Sequence, residues 1–173
     1  ACGITVSTVL GATVIDHPAV VGFYWDRGVD VTAADLRERV QRLREDLPEV
    51  ETVVVPIGGG GLISGVATAL KGQDPDIRVV GVQAEGASSA APSLEKGQRV
   101  ELDSVDTIAD GIATRSLGEK TYQVVRERVD EVVTVSDAEI AVAIVTLLER
   151  SKTLTEGAGA VSLAALLEGR FDY

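Results

Sequence analysis

The 173 residues carry 16 Lys and Arg against 27 Asp and Glu, a formal net charge of −11, with 45% hydrophobic and 25% charged residues. These values are ordinary for a globular chain of about one domain, and they exclude a disordered polypeptide, a collagen and a small disulfide scaffold. The acidic balance speaks against nucleic acid and anionic membranes as partners, no apolar run is long enough to span a bilayer, and Cys2 alone cannot form an intrachain disulfide, so a cytoplasmic setting is expected.

Taken in chain order, Ile4 to Leu10 and Ala12 to Ile15 read as buried strands around Gly11. Asp16-His17-Pro18 reads as a turn, and Phe23-Tyr24-Trp25 gathers three of the six aromatics. Thr32 to Leu47 reads as a helix, with Thr32 and Asp35 as a capping box and Leu36, Val40, Leu43 and Leu47 as its apolar stripe. Its Arg37, Arg39, Arg42 and Arg44 interleave with acids, which predicts a solvated face rather than a nucleic-acid patch. Thr52 to Ile57 is a β-branched run suited to a central strand. Gly58 to Gly61 then leads into a small-residue helix over 62–71, and Arg78 to Gln83 forms the next strand. Strand, helix and strand in about 30 residues make a βαβ unit, so these strands should be parallel. Glu85 to Pro92 reads as a loop and 103–116 as irregular. A helix over 118–129, a strand over 131–135 and a helix from the Ser136/Glu139 capping box to Arg150 follow. The final helix spans 156–168, with Gly169 as its cap. The fold class expected is α/β, one domain over 1–173, with a mostly parallel sheet and helices on both faces.

The four glycines carry the strongest chemical signal. A strand that ends in glycines and turns into a helix presents backbone N–H groups at the helix N-terminus, which favours an anion, usually phosphate. A bare tight turn would use one or two glycines. The loop lacks the Gly-Lys-Ser/Thr of a Walker A motif, and Gly59, Gly61 and Gly65 miss the dinucleotide spacing by one residue. Glu85, just past the next strand, keeps a nicotinamide dinucleotide reading open as a ribose-binding acid. A phosphomonoester on a small cofactor suits four consecutive glycines better.

The run from Thr52 to Gly65 resembles the tetraglycine loop of the threonine/serine dehydratases, which belong to the tryptophan synthase β-like, fold type II family of pyridoxal-phosphate enzymes. Val80 to Glu85, Thr107 to Ala113 and Lys152 to Leu167, with Glu156-Gly-Ala-Gly-Ala160, match further family segments in order. Asp16 to Gly22 resembles a weaker one, and the good match covers about 51–169. The resemblance implies the large-domain fold of that family and pyridoxal 5'-phosphate as cofactor. It implies that Gly58, Gly59, Gly60, Gly61 and Leu62 hold the cofactor phosphate. Asp110 and Gly111 would flank the cofactor, and Glu156 would approach its ring. The implied reaction is dehydration and deamination of L-threonine or L-serine to a 2-oxo acid and ammonia. Relatives bind a divalent cation beside the loop opened by Glu85, but Ala91 stands where they have an Asp, so no metal is expected.

The departures from the family are as informative. Its Schiff-base lysine sits in a Ser-x-Lys-x-Arg-Gly-Ala motif upstream of the glycines, and no such motif occurs here. Lys71, Lys96, Lys120 and Lys152 all have other neighbours. Phe23 to Asp26 replaces the family's Gly-Gln-Gly-Thr, and the Ser-Gly-Gly-Asn expected after the last helix is absent. The chain therefore resembles a C-terminal part of the catalytic domain, expected to be inactive alone. Its expected partner is a further copy or a companion segment, and the alternative is a non-catalytic binder of a phosphorylated ligand. Minor candidates are His17 as a base, Cys2 as a nucleophile, Phe23-Tyr24-Trp25 as a stacking patch, Lys152 as a substitute lysine, and Asp103, Asp106 and Asp110 as a metal cluster.

Overall fold

The computed structural model describes residues 5–9, 12–17, 20–22 and 33–172. Among the described residues six strands form one sheet: β1 (Thr5–Val9), β2 (Ala12–His17), β3 (Val20–Gly22), β4 (Thr52–Pro56), β5 (Arg78–Ala84) and β6 (Glu131–Val135), in sequential order. The β1–β2 and β2–β3 pairings are antiparallel, and the β3–β4, β4–β5 and β5–β6 pairings are parallel. The mostly parallel sheet is thus observed, with an antiparallel flank. Asp16 and His17 do not form a turn: they extend β2 and pair with Val21 and Val20 of β3. The Phe23-Tyr24-Trp25 cluster, Cys2, Thr32 and the side chain of His17 lie outside the described residues.

The helices are α1 (Ala33–Asp46), α2 (Gly61–Lys71), α3 (Ala90–Lys96), α4 (Glu119–Arg128), α5 (Asp137–Thr146) and α6 (Gly157–Leu167). Successive strand residues point to opposite faces, and in β4 and β5 both faces are buried. Val53, Val55 and Val79 join Val40, Ile63, Leu70 and Val125 in a core beneath α1, α2 and α4. Val54, Val80, Val82 and Val135 join Ile140, Leu147, Val161 and Leu163 in a second core beneath α5 and α6. Each fully buried valine or leucine contributes roughly 1.5–3 kcal/mol relative to exposure. The α1 stripe faces inward through Val40 and Leu43, while Glu38 and Arg42 pair at 2.7 Å on the exposed face.

Helix α6 is apolar all round, and its residues from Gly157 to Leu166 are buried. Such a helix belongs inside a fold rather than on its surface. Its small residues allow close approach: a Cβ on Gly157 would stand 2.6 Å from the Ile108 carbonyl oxygen. Gly169, at φ 59°, ends it in the left-handed conformation, and Arg170 N–H donates to the Ala165 carbonyl. The helix expected to run to Arg150 instead changes winding: α5 stops at Thr146 and a π-helical turn covers Leu147–Ser151.

The Ser136 capping box is present. Glu139 N–H donates to Ser136 Oγ at 3.3 Å, and Ser136 N–H donates to the Glu139 carboxylate at 2.7 Å. That backbone bond, more than the Arg170 guanidinium beside it, holds the Glu139 carboxyl below its usual value, while burial acts in the opposite direction. A depressed folded-state pKa stabilises the fold above the unfolded value, and the gain is lost as pH falls through the folded value. Ser136→Ala should cost about 1 kcal/mol in urea denaturation at pH 7. Glu139→Gln should destabilise at pH 7, and its gap from the parent should narrow as pH falls below about 4. A gap that stays constant with pH would show that the carboxylate plays no such part.

Candidate anion and cofactor site

Open parallel sheets bind ligands beyond the carboxyl ends of their strands, where strand-to-helix turns expose helix N-termini. Here β4 ends at Pro56, and the glycines carry the chain into α2. The N-cap of α2, Gly60, has φ 88° and ψ 3°, a conformation that L residues rarely adopt. A Cβ there would also stand 3.0 Å from Thr121 and 3.2 Å from Leu117. Gly59 and Gly61 differ: a Cβ on either would meet nothing within 4 Å. The Cβ direction at both positions is open space.

A cavity of about 240 Å³ lies against this turn. Of the residues expected at the cofactor, Gly58, Gly59, Gly60, Gly61, Leu62, Gly111 and Glu156 share its wall, whereas Asp110 is not among the lining residues. Pro56, Ile112 and Ala158 complete the lining. Gly111 arrives on a short 3-10 turn, Asp110–Ile112. That segment packs tightly on the glycines, since a Cβ on Gly58 would stand 3.1 Å from Ile112 Cα. The preceding residues are tied to the start of α5, where Thr107 Oγ1 lies 2.5 Å from the Asp137 carboxylate and Ile108 N–H donates to it at 3.1 Å.

Two helix N-termini therefore converge on one cavity. Helix α2 has no acid in its first turn and no side-chain cap, so its positive end is not neutralised. The first intrahelical bond runs from Ser64 N–H to the Gly60 carbonyl at 3.0 Å. None of the hydrogen bonds formed among the described residues uses the N–H of Gly59, Gly60, Gly61 or Leu62. Helix α6 places Glu156 at its N-cap and on the wall of the same cavity.

The carbonyl of Gly59 is held from the far side. It accepts from Gly118 N–H at 3.0 Å and from Thr121 Oγ1 at 2.5 Å, both at the start of α4. The sequence reading missed this clamp because it joins segments about sixty residues apart. It also missed Gln83, which is fully buried: its side-chain amide donates to the Ile57 carbonyl at 3.3 Å and accepts from Ala90 N–H at 2.7 Å.

Other candidates fall elsewhere. Glu85 opens an exposed 3-10 turn and is not among the cavity-lining residues. Among the described residues, no group of three or more His, Cys, Asp or Glu is placed to hold a metal ion, Asp103, Asp106 and Asp110 included. Lys152 ends the π-helical turn in the left-handed conformation, and its ammonium donates to the Glu149 carbonyl at 2.9 Å. Lys71 pairs with Asp130 at 2.8 Å. None of the four lysines lines the cavity. Among the described residues, no helix is long and apolar enough to cross a membrane.

Comparison with known proteins gives the chain's family. The chain is 53% identical over 126 residues to an L-threonine ammonia-lyase of Geobacter sulfurreducens, covering 73% of this chain and 31% of that protein. It is 50% identical over 125 residues to an L-threonine ammonia-lyase of Thermotoga maritima, covering 72% of this chain and again 31% of the relative. The structure of maize serine racemase superposes with a TM-score of 0.74 at 41% identity, over 78% of this chain and 42% of that one. The chain thus spans about a third of the length of these two ammonia-lyases. The family model described as pyridoxal-phosphate dependent enzyme matches residues 20–172. The chain belongs to the pyridoxal-phosphate-dependent enzyme family.

Proposed function

We propose that this chain is a single α/β domain that holds the phosphate of pyridoxal 5'-phosphate at the mouth of α2, as part of a cytoplasmic L-threonine or L-serine ammonia-lyase. The observation that carries this reading is the pair of open positions at Gly59 and Gly61, where a Cβ would meet nothing within 4 Å beside a cavity of about 240 Å³. Side chains at these positions would project into open space that a phosphate could use. The residues present therefore fit the group.

Gly58 to Leu62 would donate backbone N–H bonds to the phosphate, and the α2 dipole would favour its charge. When bound, the cofactor supplies the electron sink that makes loss of an amino-acid α-proton feasible. Ile112, Pro56 and Ala158 provide apolar walls that exclude water. Glu156, on the cavity wall, would bring an acceptor for a donor on the ring or the substrate. Among the described residues the cavity walls bring no amine, and none of the four lysines reaches them, so no lysine described here would bond the cofactor's aldehyde. Turnover then needs a lysine from a companion segment, and the chain alone is a cofactor-binding lobe.

Two measurements on the purified chain test this. Pyridoxal 5'-phosphate should bind measurably, and pyridoxal, which lacks the phosphate, should bind at least about tenfold more weakly, the loss of roughly 1.4 kcal/mol. Incubation with the cofactor and L-threonine should yield no 2-oxobutanoate. Equal affinity for the two vitamers would sink the phosphate assignment, and sustained 2-oxobutanoate production would sink the missing-amine argument.

A further inference from the structure

We infer that Thr121, with Gly118, is a positioning residue that aims the Gly60 amide at the anion. The inference rests on the reading of the cavity as a phosphate site. In a trans peptide the carbonyl and the following N–H point in opposite directions, and among the described residues no peptide is cis. The Gly59 carbonyl accepts from Gly118 N–H at 3.0 Å and from the Thr121 hydroxyl at 2.5 Å. Both donors belong to the start of α4, which packs on α2. Pulling that carbonyl toward α4 turns the Gly60 N–H the other way, away from α4, and Gly60 lines the cavity.

The clamp is needed because nothing local sets this peptide. Glycine tolerates φ 88° and many other values alike, and Gly60 precedes the first helical turn. The next amide is set differently. The Gly60 carbonyl is fixed by Ser64 N–H within the helix ladder, so the Gly61 N–H points out of the helix mouth without help from Thr121. The Gly118 carbonyl also lies 3.1 Å from the Thr121 hydroxyl, and the contact with the Gly59 carbonyl is the shorter of the two. Loss of the hydroxyl should therefore loosen one phosphate donor and spare its neighbour.

The test uses the purified chain labelled with 15N-glycine and titrated with inorganic phosphate. In the parent, phosphate should shift both the Gly60 and Gly61 amide signals. Thr121→Val should weaken phosphate about fivefold, the value of one hydrogen bond of about 1 kcal/mol. It should also shrink the shift at Gly60 while sparing that at Gly61, and Thr121→Ser should restore both. Parent-like affinity and shifts in Thr121→Val would overturn the inference while leaving the phosphate site intact. Equal loss at Gly60 and Gly61 would point to a merely structural role and overturn it too. A parent that ignores phosphate altogether would overturn the site itself. Should Thr121→Val fail to fold, the parent still decides: a Gly60 amide indifferent to phosphate beside a responsive Gly61 contradicts the inference.

Discussion

Gly59→Asp is expected to leave the chain folded and to abolish its binding of phosphate and of pyridoxal 5'-phosphate. A Cβ at Gly59 meets nothing within 4 Å, so the substitution creates no collision. It does place a carboxylate in the space proposed for the anion. Two like charges about 4 Å apart at an effective dielectric of about 20 repel by about 4 kcal/mol, or roughly a thousandfold in affinity. Gly59→Asn is nearly the same size and neutral, so it separates bulk from charge. Titration calorimetry with inorganic phosphate should rank parent, Asn and Asp in that order, with melting temperatures close to one another. Undiminished phosphate binding by Gly59→Asp would place the anion elsewhere.

The second large effect is on stability. Gly86→Ala should destabilise the fold by about 3 kcal/mol, the upper end for overpacking. A Cβ at Gly86 would stand 1.7 Å from the Asp106 carbonyl oxygen and 2.8 Å from its carbonyl carbon. Both obstacles are backbone, and the same segments are joined by Asp106 N–H donating to the Gly86 carbonyl at 3.0 Å. No rotamer change relieves the contact, so the 103–116 segment must move. Gly111 lies on that segment, so the variant should also bind phosphate less well at temperatures where it stays folded. Urea unfolding that matches the parent would show that the two loops part at little cost.

Much of the sheet is legible in the sequence because its strands are β-branched runs, buried on both faces in β4 and β5. Thr52 to Pro56 and Glu131 to Val135 can hardly be anything but strands, and the parallel pairing follows from the connection through α2. The helix ends at Ser136 and Gly169 are equally readable, since capping chemistry is local. Helix α3 is not. Ser88, Ser89 and Pro92 read as a loop, yet Pro92 falls in the first helical turn, where no amide partner is needed. The first amide, of Ala90, is instead taken up by Gln83 from a neighbouring strand. A cap supplied by tertiary structure leaves no local trace. Asp16 and His17 were misread for the opposite reason: Pro18 signals a turn, but strand pairing with Val20 and Val21 keeps both residues extended.

The candidate site divides the same way. Its floor, Gly58 to Leu62, is visible as a glycine run, because only glycine leaves backbone amides uncovered at a helix mouth. Gly111 and Glu156 came from family resemblance, and the fold brings both to the same cavity. The parts that orient the floor, Gly118 and Thr121, were invisible because a threonine near a helix start is commonplace. Only the fold shows that its hydroxyl reaches the Gly59 carbonyl.

The most direct measurement is a crystal structure of the purified chain grown with pyridoxal 5'-phosphate. Phosphate oxygens should lie about 2.7–3.2 Å from the amide nitrogens of residues within 58–62, with the ring extending toward Glu156. A phosphate seated on another surface, or amides of 59–62 turned away from it, would contradict the proposed grip of the helix mouth on the cofactor's anionic end.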